Sequence, residues 1–205
     1  MREITVGASA LESSGRKVHL TRCMALEKWK FDTVHSSVSF SVRHLMISKV
    51  HGRFGIWTGA LETDEANPAH SGLQASIDAA SIDTKEPQRD EHLRSADFLD
   101  AANHPQITFE STSVQPVSTE HFKVTGNLTI RGVTKPVTLD TEFLGRQKDP
   151  WGGERAGFSA KTSIDRRDFG LNFNMPLDGG GFVVGDKVDI TLDIEAVKES
   201  AAAVA

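Results

Sequence analysis

The feature that most narrows what this chain can fold into is an alternation of apolar and polar residues that returns along most of its length. Val188, Ile190, Leu192 and Ile194 alternate with Asp189, Thr191, Asp193 and Glu195, and Val38-Ser39-Phe40-Ser41-Val42 does the same near the other end. Phe122, Val124, Leu128 and Ile130 are separated by Lys123, Thr125, Asn127 and Thr129, and Val137, Leu139 and Phe143 continue the pattern. Successive side chains of a strand point to opposite faces. A period of two with one apolar and one charged face therefore reads as antiparallel strands covered on one side only. Further strands are expected near residues 50–61, 72–84, 106–115 and 156–164, giving about eight.

Only one stretch reads as helical, at about residues 88–99. Pro87 precedes it, Leu93, Ala96 and Leu99 recur every three positions, and Asp90 and Glu91 suit the positive end of a helix dipole. One short helix cannot cover that many one-sided strands, so the strands must cover each other as a sandwich or a closed barrel. A closed barrel of about eight strands either fills itself with side chains or holds one small ligand. The inward candidates are Val38, Phe40, Val42, Phe54, Ile56, Ala75, Ile77, Ala79, Phe109, Leu128, Ile130, Phe158, Ala160 and Ile190. None carries a charge, so an interior ligand should be apolar, because a buried polar group without a partner is costly. Plain core packing is the alternative.

The 205 residues suit one domain, divided here into a flexible leader or over-extended start (1–24), a barrel (25–198) and a C-terminal tail (199–205). With 38% hydrophobic and 25% charged residues the balance is globular. The formal net charge of −5 argues against a nucleic-acid partner, which needs a concentrated basic face. Cys23 is the single cysteine, so intramolecular disulfides and Cys-based metal sites are excluded. No apolar run is long enough for a membrane span, and the first residues are too polar for a secretory signal, so a cytoplasmic location is expected.

The eight histidines form none of the H-x-H, H-x-x-H or H-E-x-x-H spacings, and no metal or other cofactor is expected. No G-x-S-x-G elbow is present, and the glycines of 179–185 lead into a strand rather than opening a helix, which leaves them without an anion-binding dipole. One polar cluster stands apart. Arg43, His44, Lys49, His51 and Arg53 fall within eleven residues of an otherwise acidic chain. On a barrel rim such a cluster would hold an anionic lipid head; an ordinary solvated turn is the competing reading.

Several blocks together resemble the YceI-like family of polyisoprenoid-binding proteins. They are Trp29-Lys30-Phe31-Asp32 with His35–Leu45, then Val50-His51-Gly52-Arg53-Phe54, then Asp90–Asp100 with His104-Pro105 and Ile107–Ser111, then Gly126–Val137 and Ile164–Gly170. The resemblance implies an all-β fold, a closed eight-stranded antiparallel lipocalin-like barrel whose helix closes one end. It implies a non-enzymatic binding or carrier protein for a long-chain isoprenoid, such as a polyprenyl phosphate, a quinone or a similar amphipathic lipid, in transport or storage. Val38, Phe40, Val42, Phe54, Ile77, Phe98, Phe109, Leu128, Ile130 and Phe158 become candidate tunnel lining, and Arg43, His44, His51 and Arg53 candidate head-group contacts. The family carries no catalytic residues to transfer. Two other readings stay open: an enzyme acting on an isoprenoid or fatty-amide head group, and a dry-core, stress-related interaction module. Edge strands and tunnel mouths also make a homodimer plausible.

Overall fold

The computed structural model describes residues 26–178 and 180–199, so the expected leader (1–24) and residues 200–205 of the expected tail lie outside the described residues. Its strands are β1 (Glu27–Phe31), β2 (Ser37–His44), β3 (Ser48–Phe54), β4 (Trp57–Thr63), β5 (Gly72–Asp78), β6 (Ile82–Asp83), β7 (Gln106–Pro116), β8 (His121–Ile130), β9 (Val133–Lys148), β10 (Glu154–Asp165) and β11 (Val184–Lys198), with one helix, α1 (Pro87–Arg94), between β6 and β7.

All pairings are antiparallel. β1 and β2 lie along successive parts of β11, while β4 and β3 run back along β1 and β2. β5 and β6 then follow β4 and β3. Six segments thus make three interrupted staves, β7 to β11 supply five more, and the β11–β1 pairing closes an eight-stave barrel. Among the described residues closure leaves only the two-residue β6 paired on one side, which is how one-sided strands bury their apolar faces without a second layer.

The interruptions have local causes. Between β1 and β2 the Asp32 carboxylate accepts from the Val34 and His35 amides, an Asx-type turn that breaks the ladder. Between β3 and β4 the chain kinks at Gly55-Ile56, where Asp78 N donates to Ile56 O at 2.9 Å. The kink turns Ile56 outward, to 64% exposure, against the inward position that unbroken alternation assigns it. Bulges in β7, at Thr112, and in β9, at Leu144-Gly145, reverse the facing of everything beyond them.

One barrel end gathers the β4–β5 loop (64–71) and the hairpins 117–120 and 149–153. The other gathers α1, residues 95–105 and residues 166–183. The helix is shorter than expected from the sequence. Its N-cap is Glu86, whose carboxylate accepts from Gln88 N and Arg89 N, and it stops at Arg94 because Ser95 turns extended, with its hydroxyl donating to His92 O. Residues 96–99, expected in the helix, instead form turns that bury Phe98 and Leu99. Asp90, expected to serve the dipole, is buried and accepts from Thr84 N and Thr84 Oγ1. Arg94 donates to Ala80 O and Ile82 O, tying the helix to the third stave.

Candidate ligand cavity

Two inner-wall glycines show how aromatic rings are accommodated without filling the barrel. A Cβ on Gly52 would sit 2.3 Å from Phe40 Cζ, and one on Gly126 would sit 2.4 Å from Phe109 Cζ and 2.5 Å from Glu110 O. Gly52 is the direct cross-strand partner of Phe40, so the ring lies flat over its neighbour's backbone. With Ala75 and Ala160 also facing inward, the wall is thin, and a cavity of about 710 Å³ remains inside the barrel.

All ten lining candidates border this cavity: Val38, Phe40, Val42, Phe54, Ile77, Phe98, Phe109, Leu128, Ile130 and Phe158. Phe98 arrives from the turn after α1, the other nine from strands. A barrel filled by its own side chains does not fit this interior. Well-packed cores hold few voids larger than a water molecule. A volume of about 710 Å³ is far larger than such voids. Such a volume lies within the ~300–1,000 Å³ of small-molecule pockets.

The two ends of the cavity differ. At the α1 end the lining includes Leu93, Leu99, Phe169, Leu171 and Arg166, all buried or half-buried. Phe98, His92 and Phe173 pack as a three-ring plug, with centroids 4.8–5.2 Å apart. Arg166 is 4% exposed and its guanidinium is spent on protein groups: Nε on Gly185 O, Nη1 on Leu171 O and Phe173 O, and Nη2 on Asp186. Burial pulls its pKa down while Asp186 opposes that pull.

At the other end Thr63, Asp64, Glu65, Ser71, Thr119, Thr141 and Arg146 join the lining. Glu65 and Thr119 are exposed, so the cavity opens to solvent here. Arg146 lies between Glu65 at 2.6 Å, Glu27 at 3.0 Å and Glu154 at 3.6 Å, with its guanidinium 4.8 Å from the centre of the buried Trp29 ring. Lys198 spans Glu27 and Glu154 and lies over the same ring. Burial pushes the Glu27 carboxyl up, but the Lys198 and Arg146 contacts outweigh it and leave it below the ordinary range. Hydrogen bonds from the Asn67 amide first, and from His70, hold Asp64 low as well. Thr141 Oγ1 is buried with no hydrogen-bond partner in the protein. Arg146 is the site residue that strand alternation misses. Phe143 faces inward, and strict alternation would turn Arg146 away, but the β9 bulge restores it to the interior; Gly145, at φ 118°, is the one sequence signal of that bulge.

None of the four head-group candidates lines the cavity. Arg43, His51 and Arg53 alternate with the inward Val42, Gly52 and Phe54 and are exposed on the outer face; Arg53 pairs there with Asp83 at 3.1 Å. His44 sits half-buried at the end of β2 opposite Val184. Side-chain parity decides the matter, because the basic residues occupy the solvent-facing positions of both strands.

Asp32, His35 and Glu195 also come together, close enough for a cation. Their oxygens are already engaged, with Asp32 bonded to His35 at 2.9 Å and to Arg155 at 2.8 Å, and Glu195 paired with the same Arg155. The His35 and Arg155 contacts hold Asp32 well below the usual carboxylate range. The trio is an ion-pair network joining β1, β10 and β11. Among the described residues no helix is long and apolar enough to cross a membrane.

Comparison with known proteins agrees with this architecture. The YceI-like domain model matches residues 29–196. Protein YceI of Escherichia coli O157:H7 is 43% identical over 165 residues, covering 80% of this chain and 83% of that protein. The crystal structure of Burkholderia cenocepacia BcnA superposes with a TM-score of 0.71 at 25% identity, covering 80% of this chain and 98% of BcnA. A polyisoprenoid binding domain from Saccharophagus degradans shares the fold, with a TM-score of 0.60 at 16% identity over 83% of this chain and 98% of that domain. With the YceI-like domain model matching residues 29–196 and a relative 43% identical over 165 residues, the chain belongs to the YceI-like family.

Proposed function

We propose that this protein is a non-enzymatic carrier that sequesters a long-chain isoprenoid or similar amphipathic lipid inside its barrel. The observation that carries this reading is the apolar cavity of about 710 Å³, far larger than the voids of a packed core. The likeness to a domain described as polyisoprenoid binding supports it. Burial itself supplies the affinity, at ~0.8 kcal/mol for each methylene removed from water, so the tail needs no polar contact. The reading assigns no catalytic residue. The polar end of the lipid belongs at the Thr63–Thr141–Arg146 end of the cavity, where the lining first offers hydrogen-bonding groups near solvent.

The test is mass spectrometry of an organic extract from protein purified without detergent. A long-chain apolar lipid, near one per chain, is the expected result. The Phe40→Glu variant, which places an unpaired carboxylate on the wall, should yield an extract at least tenfold poorer in that lipid. An empty wild-type extract, with no uptake of added polyprenyl lipid, would overturn the proposal.

A further inference from the structure

The basic segment Arg43–Arg53 faces solvent, so the sign of the charge at the actual opening has to be read from the residues around it. Four carboxylates gather there: Asp64 and Glu65 in the lining, and Glu27 and Glu154 immediately behind Arg146. Against them stand two cations, Arg146 and Lys198, and both are already held between those carboxylates. His70 faces Asp64 from the same loop and adds positive charge only when protonated. The opening is net negative, and its cations are not free to receive a second anion.

From this excess of carboxylates, together with the buried, unpartnered Thr141 hydroxyl in the lining of the same end, we infer that the opening selects lipids with an uncharged, hydrogen-bonding head and disfavours anionic heads such as a diphosphate. This rests on the carrier reading above and narrows its ligand class. The Thr141 hydroxyl can donate to a carbonyl or accept from a hydroxyl, and a buried polar atom gains most from the partner it otherwise lacks. A diphosphate would bring further negative charge beside Glu65 and would reach Arg146 only by displacing it. Asp64 and Glu27 keep their charge at neutral pH, since both carboxyls are held below the ordinary range.

The experiment compares geranylgeraniol with geranylgeranyl diphosphate, equal in chain and different in head, by competition against a fluorescent polyene lipid. For the wild type the alcohol should bind at least tenfold tighter. Raising salt towards about 0.5 M should improve diphosphate binding several-fold and leave the alcohol unchanged, because screening weakens a repulsion. Glu65→Lys, on an exposed loop, should tighten the diphosphate at least threefold more than it changes the alcohol. Thr141→Val should weaken the alcohol about threefold to tenfold and leave the diphosphate nearly unchanged, as expected for loss of one hydrogen bond. Equal or tighter binding of the diphosphate, or diphosphate affinity that falls with salt, would overturn the inference while leaving the carrier reading intact. Binding of neither probe would overturn the carrier reading itself and the inference with it.

Discussion

The barrel carries an arginine into its cavity at each end, and the two side chains do different work. Arg166, at the α1 end, is 4% exposed and gives three of its hydrogen bonds to backbone carbonyls of the segment that seals the barrel. Arg146, at the open end, is 24% exposed in its side chain and pairs only with carboxylates, one of which is 56% exposed. Removing the first strands buried carbonyls; removing the second lets the exposed Glu65 hydrate but leaves the part-buried Glu27 without its arginine. Burial of the partners, not the residue type, separates a structural arginine from one that sets the character of an opening.

The largest effect expected from this contrast is on stability. Arg166→Ala should lower the unfolding free energy by about 2–4 kcal/mol in urea titrations, through unsatisfied carbonyls and lost packing. Arg146→Ala should cost less, about 1–2 kcal/mol, through the lost Trp29 contact and the part-buried Glu27 and Glu154 pairs. Equal losses would erase the distinction between the ends.

A smaller effect tests the lid. Leu93, on α1, is half-buried against the cavity, so Leu93→Asp should cost about 1–3 kcal/mol and empty the barrel of lipid. Thr119→Asp at the exposed rim should change stability by less than about 0.5 kcal/mol. If the rim substitution proved the costlier, the sealed and open ends would have to be exchanged.

The smallest effect is on acid tolerance. Asp32, near the open end, is held well below its usual range by His35 first and then Arg155, and a depressed carboxyl contributes stability above its unfolded pKa that is lost as pH falls. The urea midpoint should therefore begin to drop near pH ~5 and fall most steeply below the ordinary value of ~3.9 for an aspartate, towards the depressed folded value. Asp32→Asn should flatten that limb. Arg166 at the sealed end rests chiefly on carbonyls, which do not titrate, so Arg166→Ala should leave the slope of the limb unchanged.

Both ends also show how far the primary structure can be read. The wall was legible because it obeys a local rule: on an unbroken strand every second side chain faces in, and Phe40, Phe109, Leu128 and Phe158 do so. The openings were not legible to the same degree. Arg53, in a run of basic residues that invites an anion, is turned outward onto Asp83 by the same rule that sends Phe54 in. Arg146, with no neighbouring motif to mark it, is turned inward by a bulge.

The sequence alone therefore determined that one-sided strands cover one another, as a sandwich or a barrel, and that the interior is apolar, because periodicity and charge distribution act on each residue and its near neighbours. Only the tertiary structure decided that the interior is hollow, where the helix stops, and which charges stand at the opening. Those outcomes depend on the approach of distant segments: the Phe40 ring on Gly52, Ser95 turning away after α1, and Glu27, Glu65 and Glu154 converging on one arginine from separate staves and the loop beside them. A bulge of one residue is cheap along the chain, yet it changes which side of the wall a charge occupies, and that change is felt only once the barrel has closed.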